Sequence, residues 1–187
     1  NASTTAIRRF VARKNKNKRA QLMIKQRTSF DCGVATLANT LAISYEHALE
    51  LYGADKQRNG VSIQQTASIL FSLGYAPVYI PFPGFSKASG ITMGTASPEI
   101  LEIFGHPAIL QVLTASGLVH QVLFDGKNIL DPAPSVTVPR TLSDYQCVDA
   151  LFVIKQGQAL VRKKGSWSIY EPYKAPVSHI RFMDGGV

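Results

Sequence analysis

Apolar residues recur at helical spacing in the first part of the globular sequence and gather in short strand-like blocks in the second. Val34, Leu37, Ala38 and Leu41 give one apolar face to a helix over 32–42. Ser44 is placed to cap a second helix that turns Leu49 and Tyr52 inward and is closed by Gly53. Ser62 and Gln65 have the spacing of a reciprocal cap for a third, which runs to about Leu73 and stops at Gly74. Ser97-Pro98-Glu99 signals a fourth start, with proline at the first helical position and Gly105 as the stop. Between these, Pro77 to Phe82 alternates as an edge strand interrupted by prolines. Residues 108–113, 118–124, 127–131 and 150–154 are apolar or β-branched runs bounded by turn residues, with Ala115-Ser116-Gly117 and Asp125-Gly126 as hairpin turns. The pattern predicts an α+β fold, N-terminal helices packed on an antiparallel β-sheet.

Composition narrows the class. A chain of 187 residues, 45% hydrophobic, buries a core without a disulfide framework. Cys32 and Cys147 lie 115 positions apart and form no CxxC metal or redox site. The apolar runs are too short for a membrane span, and the basic start lacks the apolar stretch of a signal peptide. Charge is uneven. Residues 1–30 carry nine Lys/Arg and no Asp/Glu, whereas residues 31–150 carry ten acidic residues against five basic. The basicity belongs to an arm, with Arg8, Arg9, Arg13, Lys14, Lys16, Lys18 and Arg19 at its centre, rather than to the folded face. Such an arm is either a solvated tail or a contact for nucleic-acid phosphates or an acidic protein surface.

The chemistry concentrates at Gln26-Arg27-Thr28-Ser29-Phe30-Asp31-Cys32-Gly33. Cys32 would open the first core helix, where the dipole and free amides favour thiolate over thiol. Gly33 would leave room for a substrate carbonyl to approach the sulfur. Gln26 precedes Cys32 by six residues in an extended segment, from which its amide can point at the sulfur and complete an oxyanion hole with the Cys32 amide. A small buried hydrophobe is the competing role for Cys32. His120 lies inside the apolar run 118–124, where an imidazole needs a partner, and Asp131-Pro132 ends the next strand. Antiparallel pairing through the Asp125-Gly126 turn brings Asp131 beside His120. Thiolate, imidazole and carboxylate then make a nucleophilic triad. Cys147, His47, His106 and His179 have neither a helix start nor metal-ligand spacing and read as structural or solvated. Trp167, Tyr170 and Tyr173 among Arg162, Lys163 and Lys164 suit base stacking or, more plainly, a terminal hairpin over one edge of the core.

At these residues the sequence resembles the bacteriocin-processing, double-glycine peptidases, a family of papain-like cysteine proteases. The resemblance runs through Gln26, Asp31-Cys32-Gly33-Val34-Ala35-Thr36-Leu37, Tyr52-Gly53, Gly60-Val61-Ser62, His120 and Asp131-Pro132. It implies a papain-like fold over 26–154, with Gln26 as oxyanion residue, Cys32 as nucleophile, His120 as base and Asp131 as its orienter. It implies cleavage of a short extended peptide, in this family after Gly-Gly, with no metal or organic cofactor.

The chain therefore divides into a basic arm (1–25), a peptidase domain (26–154) and a C-terminal extension (155–187) expected to pack on the domain as a hairpin and tail. Its expected partner is a peptide or protein substrate, in a cytoplasmic or virion-like setting. A different class of function stands beside the enzyme. In it the chain is a structural or binding component of a larger assembly, such as a phage particle, that keeps the peptidase fold and is anchored by its arm.

Overall fold

The computed structural model describes residues 23–155 in full, and the backbone alone of 159–163 and 166–170. The arm positions Arg8, Arg9, Arg13, Lys14, Lys16, Lys18 and Arg19 lie outside the described residues, as do Tyr173, His179 and the side chains of Trp167 and Tyr170. The fold is α+β, with a five-stranded antiparallel sheet between layers of helix and loop.

Helix α1 spans Cys32–Leu41, and its residues 33–38 are all buried. Helix α2 spans Tyr45–Tyr52, capped by the Ser44 hydroxyl, which accepts from His47 N at 3.1 Å. A short helix, α3, covers Lys56–Asn59 and has no apolar stripe to announce it. Helix α4 spans Ile63–Ser72, and both halves of its Ser62–Gln65 box form. These helices pack Val34, Leu37, Ala48, Ile63 and Leu70 against one face of the sheet, which contributes Ile109 and Leu151.

The sheet runs in the order β1 (Val78–Pro81), β5 (Gln146–Phe152), β2 (Ala108–Leu113), β3 (Val119–Phe124) and β4 (Ile129–Leu130). Its second face buries Leu110, Val112, Val122, Phe124 and Phe152 with Phe82 and Leu101. Helix α5 (Gly84–Ser89) and helix α6 (Ile100–Phe104) lie in the connection from β1 to β2. The Ser97-Pro98-Glu99 start signal forms a turn instead, with Ile100 N bonded to Ser97 O, and α6 begins only after it. A second sheet, β6 (Ala159–Lys163) paired with β7 (Ser166–Tyr170), forms a two-stranded hairpin.

Strand β5 starts four residues before the expected 150. Asp149 reads as a loop residue in sequence, yet it is buried in mid-strand. Tyr79 donates to its Oδ2 at 3.0 Å, and the Gln111 amide, turned to donate, reaches both carboxylate oxygens at 3.1 and 3.0 Å. Burial pushes its pKa up to about 6. The register carries a bulge there: Gln111 pairs with Asp149 but Val112 pairs with Cys147, so Val148 is left over and its carbonyl accepts from Phe82 N.

The β2–β3 hairpin closes as the turn residues require, with Gly117 at φ 78° and Thr114 N bonded to Leu118 O. The next turn is closed by Asp125, whose Oδ1 accepts from Lys127 N and Asn128 N. That second turn delivers β4 antiparallel to β3, and Asp131 follows directly.

Candidate active site

Cys32 is the first residue of α1 and half-buried. Asp31, one residue before, occupies the cap position but caps nothing. Its fully buried carboxylate accepts instead from Arg27 N (3.0 Å), Thr28 N (2.9 Å) and the Tyr45 hydroxyl. This folds residues 27–31 into a tight turn beneath the helix start. The first amides of α1, that of Cys32 among them, remain without a side-chain acceptor. Burial, with Asp31 as hydrogen-bond acceptor, pushes the Tyr45 hydroxyl pKa up to about 12.

Gly33 has a packing role. A Cβ there would lie 2.1 Å from Val61 Cγ2 and 2.7 Å from Gln121 Oε1, so the glycine lets α1 seat against the 60–62 turn and β3.

Gln26 enters the same cleft. Its amide N donates to Pro132 O at 2.9 Å, and its side-chain Nε2 donates to Thr28 O at 2.8 Å. One Nε2 hydrogen is left over, because an amide carries two. The Gln26 Oε1 is buried without a partner.

Across the cleft, His120 and Asp131 pair through Nε2 and Oδ1 at 2.8 Å, with both side chains nearly buried. This leaves Nδ1 as the ring nitrogen open to other partners. Burial alone would drive the His120 pKa down. The Asp131 carboxylate and the Cys32 sulfur, each as hydrogen-bond partner and as negative charge, outweigh it and raise the value to about 9. Burial likewise works against the Asp131 carboxylate, but His120, the Tyr145 hydroxyl and Ala133 N together hold it down at about 2. Tyr145 donates to Oδ2 at 2.6 Å and Ala133 N to Oδ1 at 2.8 Å. Burial and the carboxylate push the tyrosine's own pKa far above the ordinary range.

The structure thus gathers Gln26, Cys32, His120 and Asp131 around one open cleft of about 690 Å³, whose further walls include Leu113, Val119, Ser135, Arg140 and Tyr145. Tyr145 is a site residue that the sequence reading passed over. Its only sequence signal is a position near the end of the loop that follows Asp131. Cys147 and His106 are placed elsewhere, buried, with His106 Nε2 3.2 Å from Val153 O. Among the described residues no group of three His, Cys, Asp or Glu side chains is placed to hold a metal ion. No helix among them is long and apolar enough to cross a membrane.

No family model matches the sequence, and no curated protein matches it either. Among solved structures, the chain is similar to the peptidase domain of Streptococcus ComA, a bifunctional ABC transporter involved in quorum sensing. That match has 20% identity and a TM-score of 0.48, over 71% of this chain and 97% of that one. It is also similar to a double-glycine-motif protease from an AMS/PCAT transporter, solved with its leader peptide. There the identity is 20% and the TM-score 0.46, over 72% of this chain and 91% of that one.

Proposed function

We propose that this chain is a cysteine peptidase of papain-like fold that cleaves an extended peptide segment with Cys32, His120, Asp131 and Gln26. The observation that carries the reading is the His120–Asp131 pair at 2.8 Å in the cleft that also exposes Cys32 at a helix start. A cysteine at a helix start that shares a cleft with a carboxylate-oriented imidazole is the arrangement of an activated nucleophile and its base.

In this mechanism His120 takes the Cys32 proton, and the thiolate attacks the scissile carbonyl carbon. A C–S bond forms as the carbonyl electrons move to oxygen. The resulting oxyanion is held by the Cys32 amide and the second Nε2 hydrogen of Gln26. Collapse breaks the C–N bond, and His120 returns the proton to the leaving amine. Water, deprotonated by His120, then attacks the thioester, and the C–S bond breaks to release the acid. Asp131 holds the ring so that both transfers use one nitrogen. Cleavage after Gly-Gly belongs to this reading through the sequence resemblance.

The test is mass spectrometry of the full chain mixed with a peptide library and quenched in acid. An acyl adduct on Cys32, absent in Cys32→Ser, supports the proposal. Peptide cleavage that survives Cys32→Ser overturns it, as does the absence of both cleavage and adduct.

A further inference from the structure

Lys25 stands outside the catalytic set, yet its ammonium is the most heavily engaged cation among the described residues. It donates to the main-chain carbonyls of Asp131 at 3.0 Å and Ala133 at 3.1 Å, and to that of Val136. An ammonium has three hydrogens, and all three are used. The neighbouring Gln26 N adds a fourth bond to the same loop, at Pro132 O. All four run from the segment that leads into α1 to the loop that leaves β4.

The geometry explains why a lysine is needed. Residues 133–136 close a turn, with Val136 N bonded to Ala133 O at 3.1 Å, and this brings three carbonyl oxygens toward one point. Such oxygens repel one another and lose hydration as the segments close over them, unless a cation sits between them. Asp131 is where this cage meets the site. Its main-chain oxygen binds Lys25, its Oδ1 binds His120 and Ala133 N, and its Oδ2 binds Tyr145. The carboxylate that orients the imidazole is therefore mounted on backbone that Lys25 holds.

We propose that Lys25 is a positioning residue, an ammonium staple that fixes the 131–136 loop, and with it the Asp131 carboxylate, against the segment that carries Gln26 and Cys32. It touches no reacting atom. The inference rests on the proposed catalytic set, because it assigns Lys25 a role through Asp131. Without the staple the carboxylate drifts from Nε2, and His120 loses the partner that offsets its burial.

The test follows the imidazole titration of His120 by NMR in the full chain, assigned with His120→Gln, and needs no peptide substrate. Wild type, Lys25→Met and Lys25→Arg are compared, with peptide turnover measured alongside. Lys25→Met is expected to lower the His120 midpoint by a unit or more, and to reduce kcat about tenfold or more with KM little changed. Lys25→Arg, which keeps charge and donors, is expected to restore most of both. A lysine that served stability alone would lower the melting temperature and leave the His120 midpoint of the folded protein where it is; that result overturns the inference. Should Lys25→Met not fold, Lys25→Gln replaces it, since its amide keeps two donors without the charge, and an unmoved midpoint there overturns the inference equally. A wild-type His120 that titrates at its ordinary value instead overturns the catalytic reading beneath, a result distinct from any variant's.

Discussion

Tyr145 and His120 grip the Asp131 carboxylate from its two oxygens, the tyrosine hydroxyl at 2.6 Å on Oδ2 and the imidazole at 2.8 Å on Oδ1. The tyrosine's bond persists whatever the protonation of the ring, so it fixes the carboxylate independently of the group that the carboxylate orients. Tyr145→Phe leaves Oδ2 nearly buried and without that donor. The expected loss is roughly 1.5–3 kcal/mol of stability, the scale of a hydrogen bond to a charged group. Turnover is expected to fall about tenfold. Denaturant unfolding and steady-state kinetics check both, and a variant with unchanged stability and rate removes Tyr145 from the site.

The two thiols should differ in reactivity. Burial pushes Cys147 up to about 11, whereas Cys32 opens a helix in an accessible cleft. Iodoacetamide near neutral pH is expected to label Cys32 first and to leave Cys147 unmodified until the protein unfolds. Peptide mapping of the labelled chain decides it, and preferential labelling of Cys147 would count against the site.

The pH dependence follows from the directions of two shifts. His120 is raised to about 9, so its stabilising pairing is complete below its unfolded value of 6.5 and is lost as pH rises through 9. Asp131 is depressed to about 2, so its contribution is present above 3.8 and is lost only as pH falls through 2. The imidazolium that protonates the leaving amine therefore survives into alkaline solution. The kcat/KM profile is expected to hold through neutrality and fall near pH 9. An alkaline limb centred near 6.5 contradicts it.

Gln26→Ala removes the side-chain donor proposed for the oxyanion. Turnover is expected to fall about a hundredfold, the usual scale for one such donor. Single-turnover rates make the comparison, and a variant as fast as wild type excludes Gln26 from the mechanism while leaving Cys32 and His120 in place.

Gly33→Ala tests the seating of α1. The new Cβ would meet Val61 at 2.1 Å and Gln121 at 2.7 Å, and overpacking of this kind costs about 1–3 kcal/mol. Adding Val61→Ala should recover part of that loss, because it removes the closer of the two contacts. Equilibrium unfolding of the single and double variants measures it. Full stability in Gly33→Ala alone would show that the helix tolerates a shift.

Local signals explain which parts of this structure were readable in the chain. Ser44, Ser62 with Gln65, Gly53 and Gly74 act on their own neighbours, so α2 and α4 appear with the expected caps. His120 and Asp131 were approachable in the same way, because the turn at Asp125-Gly126 is enough to pair their strands; Cys32 reaches them only through the packing of α1 on β3, where Gly33 meets Gln121. What could not be read depends on distant residues. Helix α5 has six residues and no stripe; its Gly84 lies so close to β5 that a Cβ would be 2.4 Å from Cys147 O. Strand β5 hides Asp149 behind Tyr79 and Gln111, partners 70 and 38 positions away. Tyr145 and Lys25 gain meaning only once the 131–136 loop is folded, and the close approach of Gly33 to Val61 and Gln121 joins distant parts of the chain.

The mounting of Cys32 has a kinetic consequence. The six residues after it are buried, and α1 packs into the core shared with α2, α4 and the sheet. Amides bonded within the buried middle of such an element are the last to exchange with solvent, so the nucleophile stands at the edge of the part that yields last. Fraying of its own helix cannot gate the cleft. The other wall is built otherwise, with the exposed hairpin tip at Leu118 and Val119 on it. Any opening that admits a peptide therefore falls more readily to that hairpin tip than to the helix that carries the sulfur.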